Sequence, residues 1–231
     1  MAELTIKWLG HSCFMLECGG HSAVIDPYRE VTGYPALQCR AGEVYASHTQ
    51  HDDHGYFEAV RIIPQPGDSP FSTLTFDTFH DPEEGRLRGK NRITIFEAEG
   101  LRVAHFGDLG HDLTDGAIES LGRLDAAMIP VGGFYTIDCR QAAGLARRLD
   151  TGIVIPMHYR RDGLGFENIS GPEAFMEEIK PKFTVLTSDD SQLVLTEEAA
   201  YVSLEGSRRE LDTKGSGPYG ILLKFTGNQQ I

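Results

Sequence analysis

Ser47-His48-Thr49-Gln50-His51-Asp52-Asp53-His54-Gly55 crowds three imidazoles and two aspartates into nine consecutive positions. The stretch follows the strand-like Glu43 to Ser47, so these side chains fall in a loop, where backbone freedom lets alternate residues converge on one point. Imidazole nitrogen and carboxylate oxygen together suit Zn²⁺, Mn²⁺ or Fe²⁺. A solvated polar loop would explain one such stretch taken alone. Three further segments change that balance: Phe79-His80-Asp81, Ala104-His105-Phe106-Gly107-Asp108 and Ile155-Pro156-Met157-His158-Tyr159 each place a ligand-capable side chain just beyond an apolar run. Strand ends of a sandwich meet at one edge in this way, and four such segments in order call for a common cause.

Outward from that loop, short apolar or alternating runs fill the first half of the chain: Thr5 to Leu9, Cys13 to Glu17, Ser22 to Ile25, Val44 to Ser47, Arg61 to Ile63, Leu74 to Phe79 and Arg92 to Glu97. Gly, Pro and Asp separate them, so they are predicted as strands. Ala126 to Val131 and Ile153 to Pro156 are short enough for buried strands. Helical spacing appears later. Ala142, Leu145, Ala146 and Leu149 recur at three- and four-residue intervals behind Asp138, which predicts a capped, one-sided helix over Asp138 to Leu149. Pro172 to Lys180 is the second helix candidate. Strands first, then strands mixed with helices, imply an α+β chain of two packed sheets with helices outside. After Leu204 the chain is polar over Gly206 to Lys214, and Tyr219 to Phe225 could add one more strand.

Composition excludes several classes. At 231 residues and 40% hydrophobic content the chain can bury its own core, with one domain as the default. A net charge of -13 disfavours nucleic acid as the main partner. Cys13, Cys18, Cys39 and Cys139 match no zinc-ribbon, redox-pair or haem spacing, which leaves reduced, packed thiols. No run approaches the roughly 20 apolar residues that span a bilayer. MAELTIKWLGHSCF carries a Lys inside a strand-like alternation rather than a secretory pattern, so a cytoplasmic location is expected.

The ordered histidine and aspartate segments resemble the metallo-β-lactamase superfamily. Trp8-Leu9-Gly10-His11-Ser12-Cys13-Phe14, Ile25-Asp26-Pro27-Tyr28, Arg88-Gly89-Lys90-Asn91, Gly107-Asp108-Leu109-Gly110-His111, Pro130-Val131-Gly132-Gly133 and Pro156-Met157-His158-Tyr159 resemble its branch of ascorbate-6-phosphate lactonase-like proteins. The similarity runs over roughly residues 3 to 203. It implies a four-layer αββα sandwich over 1–205, and it leaves 206–231 as a C-terminal extension of open status. It also implies two divalent metal ions, zinc foremost, with manganese or iron as alternatives. His48, His51 and His80 would hold one ion, Asp53, His54 and His158 the other, and Asp108 would bridge them. The family pattern His-x-His-x-Asp-His is not met throughout. Its first position falls on Thr49, with His48 one residue early, so either a local bulge returns His48 to the metal or that ligand is missing.

By the same resemblance, Asp53 is a proton acceptor as well as a ligand. His11 approaches the site mouth, where it would contact substrate or donate a proton; packing in a turn would explain it equally well. Asp26 is expected to fix a ligand imidazole from behind, or simply to form an Asp-Pro turn. His105 is expected to face away and His111 to lie near a helix start. Arg88, Lys90, Asn91 and Arg160, beside ligand segments in an acidic chain, are candidates for recognising an anionic substrate, unless they are solvated surface groups. The expected reaction is attack by a metal-bound hydroxide on a small ester or lactone, anionic or phosphorylated. A small phosphodiester on the same centre is the alternative, and a non-catalytic metal- or ligand-binding domain a third reading. The expected partner is a small molecule, with no nucleic acid and no membrane span, and homo-oligomerisation stays open.

Overall fold

A computed structural model describes residues 3–49 and 54–227. Thus His51 and Asp53, two of the expected metal ligands, lie outside the described residues. The elements are β1 (Leu4–Gly10), β2 (Cys13–Cys18), β3 (His21–Ile25), β4 (Cys39–Ala41), β5 (Glu43–Tyr45), a 3₁₀ turn (Phe57–Ala59), β6 (Val60–Ile62), β7 (Ser72–Phe79), β8 (Lys90–Ala98), β9 (Leu101–His105), α1 (Asp115–Leu121), β10 (Leu124–Pro130), α2 (Cys139–Arg148), β11 (Thr151–Met157), α3 (Glu173–Ile179), β12 (Thr184–Thr187), β13 (Gln192–Leu195), β14 (Ala200–Leu204), β15 (Ser207–Leu211) and β16 (Tyr219–Leu222).

Two seven-stranded sheets result, in the orders β15-β14-β13-β1-β2-β3-β5 and β12-β16-β11-β10-β9-β8-β7, and β4 pairs with β6 apart from both. The first sheet is antiparallel except for the β3–β5 pair. The second is parallel from β12 to β9 and antiparallel from there to β7. Both inner faces meet in one buried core. β1 shows why: Leu4, Ile6 and Trp8 alternate with half-exposed Thr5 and Lys7, the two-residue period of a strand with one face buried. The central strands β10 and β11 carry near-continuous apolar runs instead, as strands covered on both faces require.

The expected α+β sandwich is therefore present. Its three described α-helices all lie in the crossovers of the second sheet, between β9, β10, β11 and β12. α2 starts behind Asp138, whose Oδ1 accepts from the backbone N–H groups of Arg140 and Gln141, while Gln141 returns a bond to the Asp138 N–H. α1 lacks a counterpart in the sequence-based expectation. It is a seven-residue helix burying only Ile118 and Leu121, too short for apolar periodicity to show. β15 and β16 show that the stretch after residue 205 adds one strand to each sheet. The four cysteines are free, three of them buried.

Topology also decides where the site lies. β9, β10 and β11 run parallel, so their C-terminal ends share one edge. β7 ends opposite the start of β8, with Phe79 paired to Lys90, and β8 is antiparallel to β9. The segments following β7, β9 and β11, together with the first residues of β8, therefore converge on that edge.

Candidate metal centre

Asp108 is the hub. It follows β9 through Gly107, and its Oδ2 lies 2.8 Å from His80 Nε2, 3.2 Å from His158 Nε2 and 3.3 Å from His54 Nε2. His80 comes from the end of β7, His158 from the end of β11 and His54 from the loop after β5, so one carboxylate oxygen gathers three segments. His48 stands beside them: its ring centre is 4.5 Å from that of His54 and 4.9 Å from that of His80. His48, His54 and Asp108 offer ligand atoms within 4.8 Å of one another, and so do His11, His54 and His158.

His11 is fully buried rather than placed at an open mouth, with its ring 4.2 Å from that of His158. Its carbonyl accepts from Trp8 Nε1 at 2.9 Å and from the His158 N–H at 3.3 Å, which binds the β1–β2 turn to the end of β11. His11, Asp26 and His158 all have left-handed backbones, with φ near 50°. Non-glycine residues adopt that conformation at a cost, commonly where the surroundings impose a geometry a site needs.

A second layer holds these groups in place. Asp26 Oδ1 accepts from the Ser47 N–H at 2.6 Å, and its Oδ2 accepts from Ser47 Oγ at 2.7 Å and lies 3.1 Å from His54 Nδ1. His54 is thus gripped through both ring nitrogens, by Asp26 and Asp108. Ser47 Oγ also meets His48 Nδ1 at 2.9 Å. His105, expected to face away, instead points under the site: its Nε2 meets Ser12 O at 2.8 Å, and its Nδ1 lies 3.8 Å from Asp26 Oδ2.

Asn91 requires a correction. It does not present itself to substrate. Its side chain is buried, donating to Thr78 Oγ1 and Phe106 O and accepting the Asp108 N–H at 2.8 Å. Lys90, its strand neighbour, is exposed on the opposite face, as alternation requires. Arg160 is exposed as well, and its Nη1 donates to Glu167 O. Arg88 is half-buried, with its guanidinium 5.8 Å from the Tyr135 ring centroid.

Electrostatics follow from burial and proximity. Burial, then the neighbouring His158 and His54, hold the His11 pKa well below the ordinary histidine value. Burial lowers His48 to about 4. Burial pulls His54 down too, but the Asp108 and Asp26 carboxylates outweigh it and hold His54 well above its usual value. For Asp26, burial acts upward, yet His54, His105 and His48 bring the pKa to about 2. His158 and His54 similarly overcome burial and hold Asp108 well below the carboxylate range.

The donor set fits a hard-to-borderline cation. Asp108 Oδ1 and His158 Nδ1 are buried with no hydrogen-bond partner, a costly state that a coordinated ion would relieve. A neutral His48 beside an ionised Asp108 is the protonation state metal binding requires, and His54, held protonated by its two carboxylates, would release its proton to an incoming ion. Such a donor set at the strand ends of a two-sheet sandwich marks a candidate metal site. The comparisons agree: residues 5–158 match the beta-lactamase superfamily domain, so the chain belongs to the metallo-β-lactamase superfamily. A UPF0173 metal-dependent hydrolase of Korarchaeum cryptofilum is 26% identical over 189 residues, covering 67% of this chain and 82% of its own. Another, from Thermoplasma volcanium, is 27% identical over 209 residues, covering 73% and 92%. Among solved structures, a candidate Zn-dependent hydrolase of this superfamily from Thermotoga maritima aligns over 95% of this chain and 98% of its own, with TM-score 0.64 and 29% identity. A metallo hydrolase of Ignicoccus hospitalis, 20% identical, shares the fold with TM-score 0.57 over 78% of this chain and 91% of its own. No helix among the described residues is long and apolar enough to cross a membrane.

Proposed function

We propose that this hydrolase opens a small ester or lactone, anionic or phosphorylated, at a dinuclear centre. The observation carrying the reading is Asp108, whose Oδ2 approaches the ring nitrogens of His54, His80 and His158 within 3.3 Å while its buried Oδ1 has no hydrogen-bond partner. His48, His51, Asp53, His54, His80, Asp108 and His158 are the residues that would hold the ions. Zinc, or alternatively manganese or iron, would supply Lewis acidity and lower the pKa of a coordinated water towards about 7.

The remaining work belongs to this chain's own side chains. Asp26 fixes the His54 ring by taking its Nδ1 side, which leaves Nε2 directed at the centre. Asn91 fixes Asp108 through the backbone N–H. Asp53 is the proposed proton acceptor. His11, kept neutral by burial and packed 4.2 Å from the His158 ring, is proposed to act at the inner wall of the centre as an N–H hydrogen-bond donor rather than as a full positive charge. Arg88 is the proposed contact for a substrate anion.

Elemental analysis of wild type and His48→Ala, each reconstituted with Zn²⁺ or Mn²⁺, tests the metal part. Two ions in the wild type and fewer in the variant are expected; two in both would remove His48, and no tight metal in either would sink the mechanism. Parallel assays on a lactone panel and on bis-p-nitrophenyl phosphate test the substrate. Turnover of only the latter would make the protein a phosphodiesterase.

A further inference from the structure

The loop after β10 carries an arrangement that the hydrolytic chemistry does not use. Phe134 is 62% exposed and has a left-handed backbone, φ 58°, so a large apolar side chain stands in water on a strained residue. Tyr135 follows it, its ring 4.8 Å from Phe134, 5.8 Å from Phe166 at an interplanar angle of 69°, and 6.3 Å from His158. Phe166 in turn stands edge-on to His11, with centroids 5.3 Å apart at 86°. Tyr135 and Phe166 therefore border the two histidines on one side of the centre, with Phe134 packed on the far side of Tyr135.

Their placement is fixed by backbone contacts. A Cβ on Gly132 would lie 2.2 Å from His158 O, so only glycine lets this loop press so closely onto the end of β11. Gly132 O accepts from the Ser170 N–H at 2.8 Å, which joins the loop to the segment bearing Phe166. Asn168 Nδ2 donates to Tyr135 Oη at 2.8 Å. Arg88 lies 5.8 Å from the Tyr135 centroid and adds a cation at the rim.

We propose that Tyr135 and Phe166 form an aromatic-ring subsite beside the centre, with Arg88 at its rim. This rests on the hydrolase reading above and narrows its substrate class to esters or lactones carrying an aromatic or similarly flat apolar group next to the scissile bond and an anionic substituent beyond it. Edge-to-face and offset contacts with Tyr135 and Phe166 would hold such a ring. The guanidinium, already oriented by Tyr135, would meet the carboxylate or phosphate.

The test compares the metal-loaded wild type with Tyr135→Ala, Tyr135→Leu, Tyr135→Phe, Phe166→Ala and Arg88→Ala. Two readouts are taken: kcat/KM on 1-naphthyl acetate and ethyl acetate, and calorimetric Kd for benzoate, 2-naphthoate and terephthalate. Loss of the ring face should lower kcat/KM for the naphthyl ester about tenfold more than for ethyl acetate and weaken 2-naphthoate about tenfold, with Tyr135→Phe closer to wild type than Tyr135→Leu. Tyr135→Leu keeps a sizeable apolar side chain at this half-buried position without the ring face, and carries the test where the alanine variant fails to fold. Arg88→Ala should weaken terephthalate about tenfold and leave benzoate alone. Equal losses on both esters, or 2-naphthoate binding indifferent to Tyr135 and Phe166, would overturn the subsite. Were neither ester hydrolysed by the wild type, the ester reading would fail, and the 2-naphthoate constants would still decide the subsite.

Discussion

His54 is held between two carboxylates, and this grip is the most informative contact in the protein. Asp26→Asn keeps the shape of the second layer and removes its charge. It should fold normally and bind metal about 10- to 100-fold more weakly in a chelator competition, because the imidazole loses its orienting partner; an unchanged affinity would reduce Asp26 to a turn former. The same residues dictate a pH response in the metal-free chain. Below about pH 6.5 the unfolded histidines charge, whereas folded His48 stays neutral down to about 4 and His11 and His105 are lowered as well. The unfolded state then binds more protons and stability falls as pH falls, His48 alone accounting for on the order of 3 kcal/mol by pH 4. Above pH 6.5 the sign reverses. Folded His54 keeps a proton that the unfolded chain loses, so stability falls as pH rises towards the raised His54 pKa. Thermal melts in chelator should peak near pH 6.5, and a midpoint climbing steadily to pH 8 would contradict a protonated His54. At this scale the sequence brought forward His48, His54, His80, Asp108 and His158, which the structure gathers around one carboxylate, although it did not separate them from His105 beneath. The role of Asn91 was hidden because its cationic neighbours suggested anion binding, although alternation with exposed Lys90 marked it as an inward residue.

Elements differ in how visibly they were encoded. α2 was readable because an Asp cap, a Gln three residues on and a regular apolar stripe agree. Asp138→Ala should cost about 1 kcal/mol, lowering the melting midpoint by roughly 2–4 °C, and leave metal content untouched. The turn after β9 is a sharper case. Gly107 has φ 56°, and a Cβ there would lie 2.3 Å from Asn91 Oδ1 and 2.4 Å from Ser47 Cβ. Gly107→Ala should therefore displace Asn91, Asp108 or the Ser47 loop, costing about 2 kcal/mol or more and reducing bound metal; full occupancy at wild-type stability would show that the turn is not tightly specified. Strands of four residues such as β12 and β13 gave no comparable signal, since so short a run fits a buried loop equally well.

Across the whole molecule, the presence of two packed sheets followed from the many short strands, but the order within each sheet did not. Pairing across long sequence separations, such as Leu4 with Leu195, depends on which faces find each other during folding. The least legible placement is β16, which enters between β11 and β12 and bonds to both. Ile221 is completely buried there, so Ile221→Asp should cost more than about 4 kcal/mol and yield aggregated protein, whereas Lys214→Asp in the preceding turn should purify and melt like wild type. Equal solubility of the two would mean that β16 contributes little. The position of β16 also bears on synthesis. His158 stands at the end of a strand whose outer edge stays unpaired until residue 222 has emerged from the ribosome, so a growing chain carries its histidines long before it can hold them in register. Assembly of the centre is thereby tied to the docking of a strand about sixty residues further along the chain, so a substitution that loosens β16 should be felt at His158 as well.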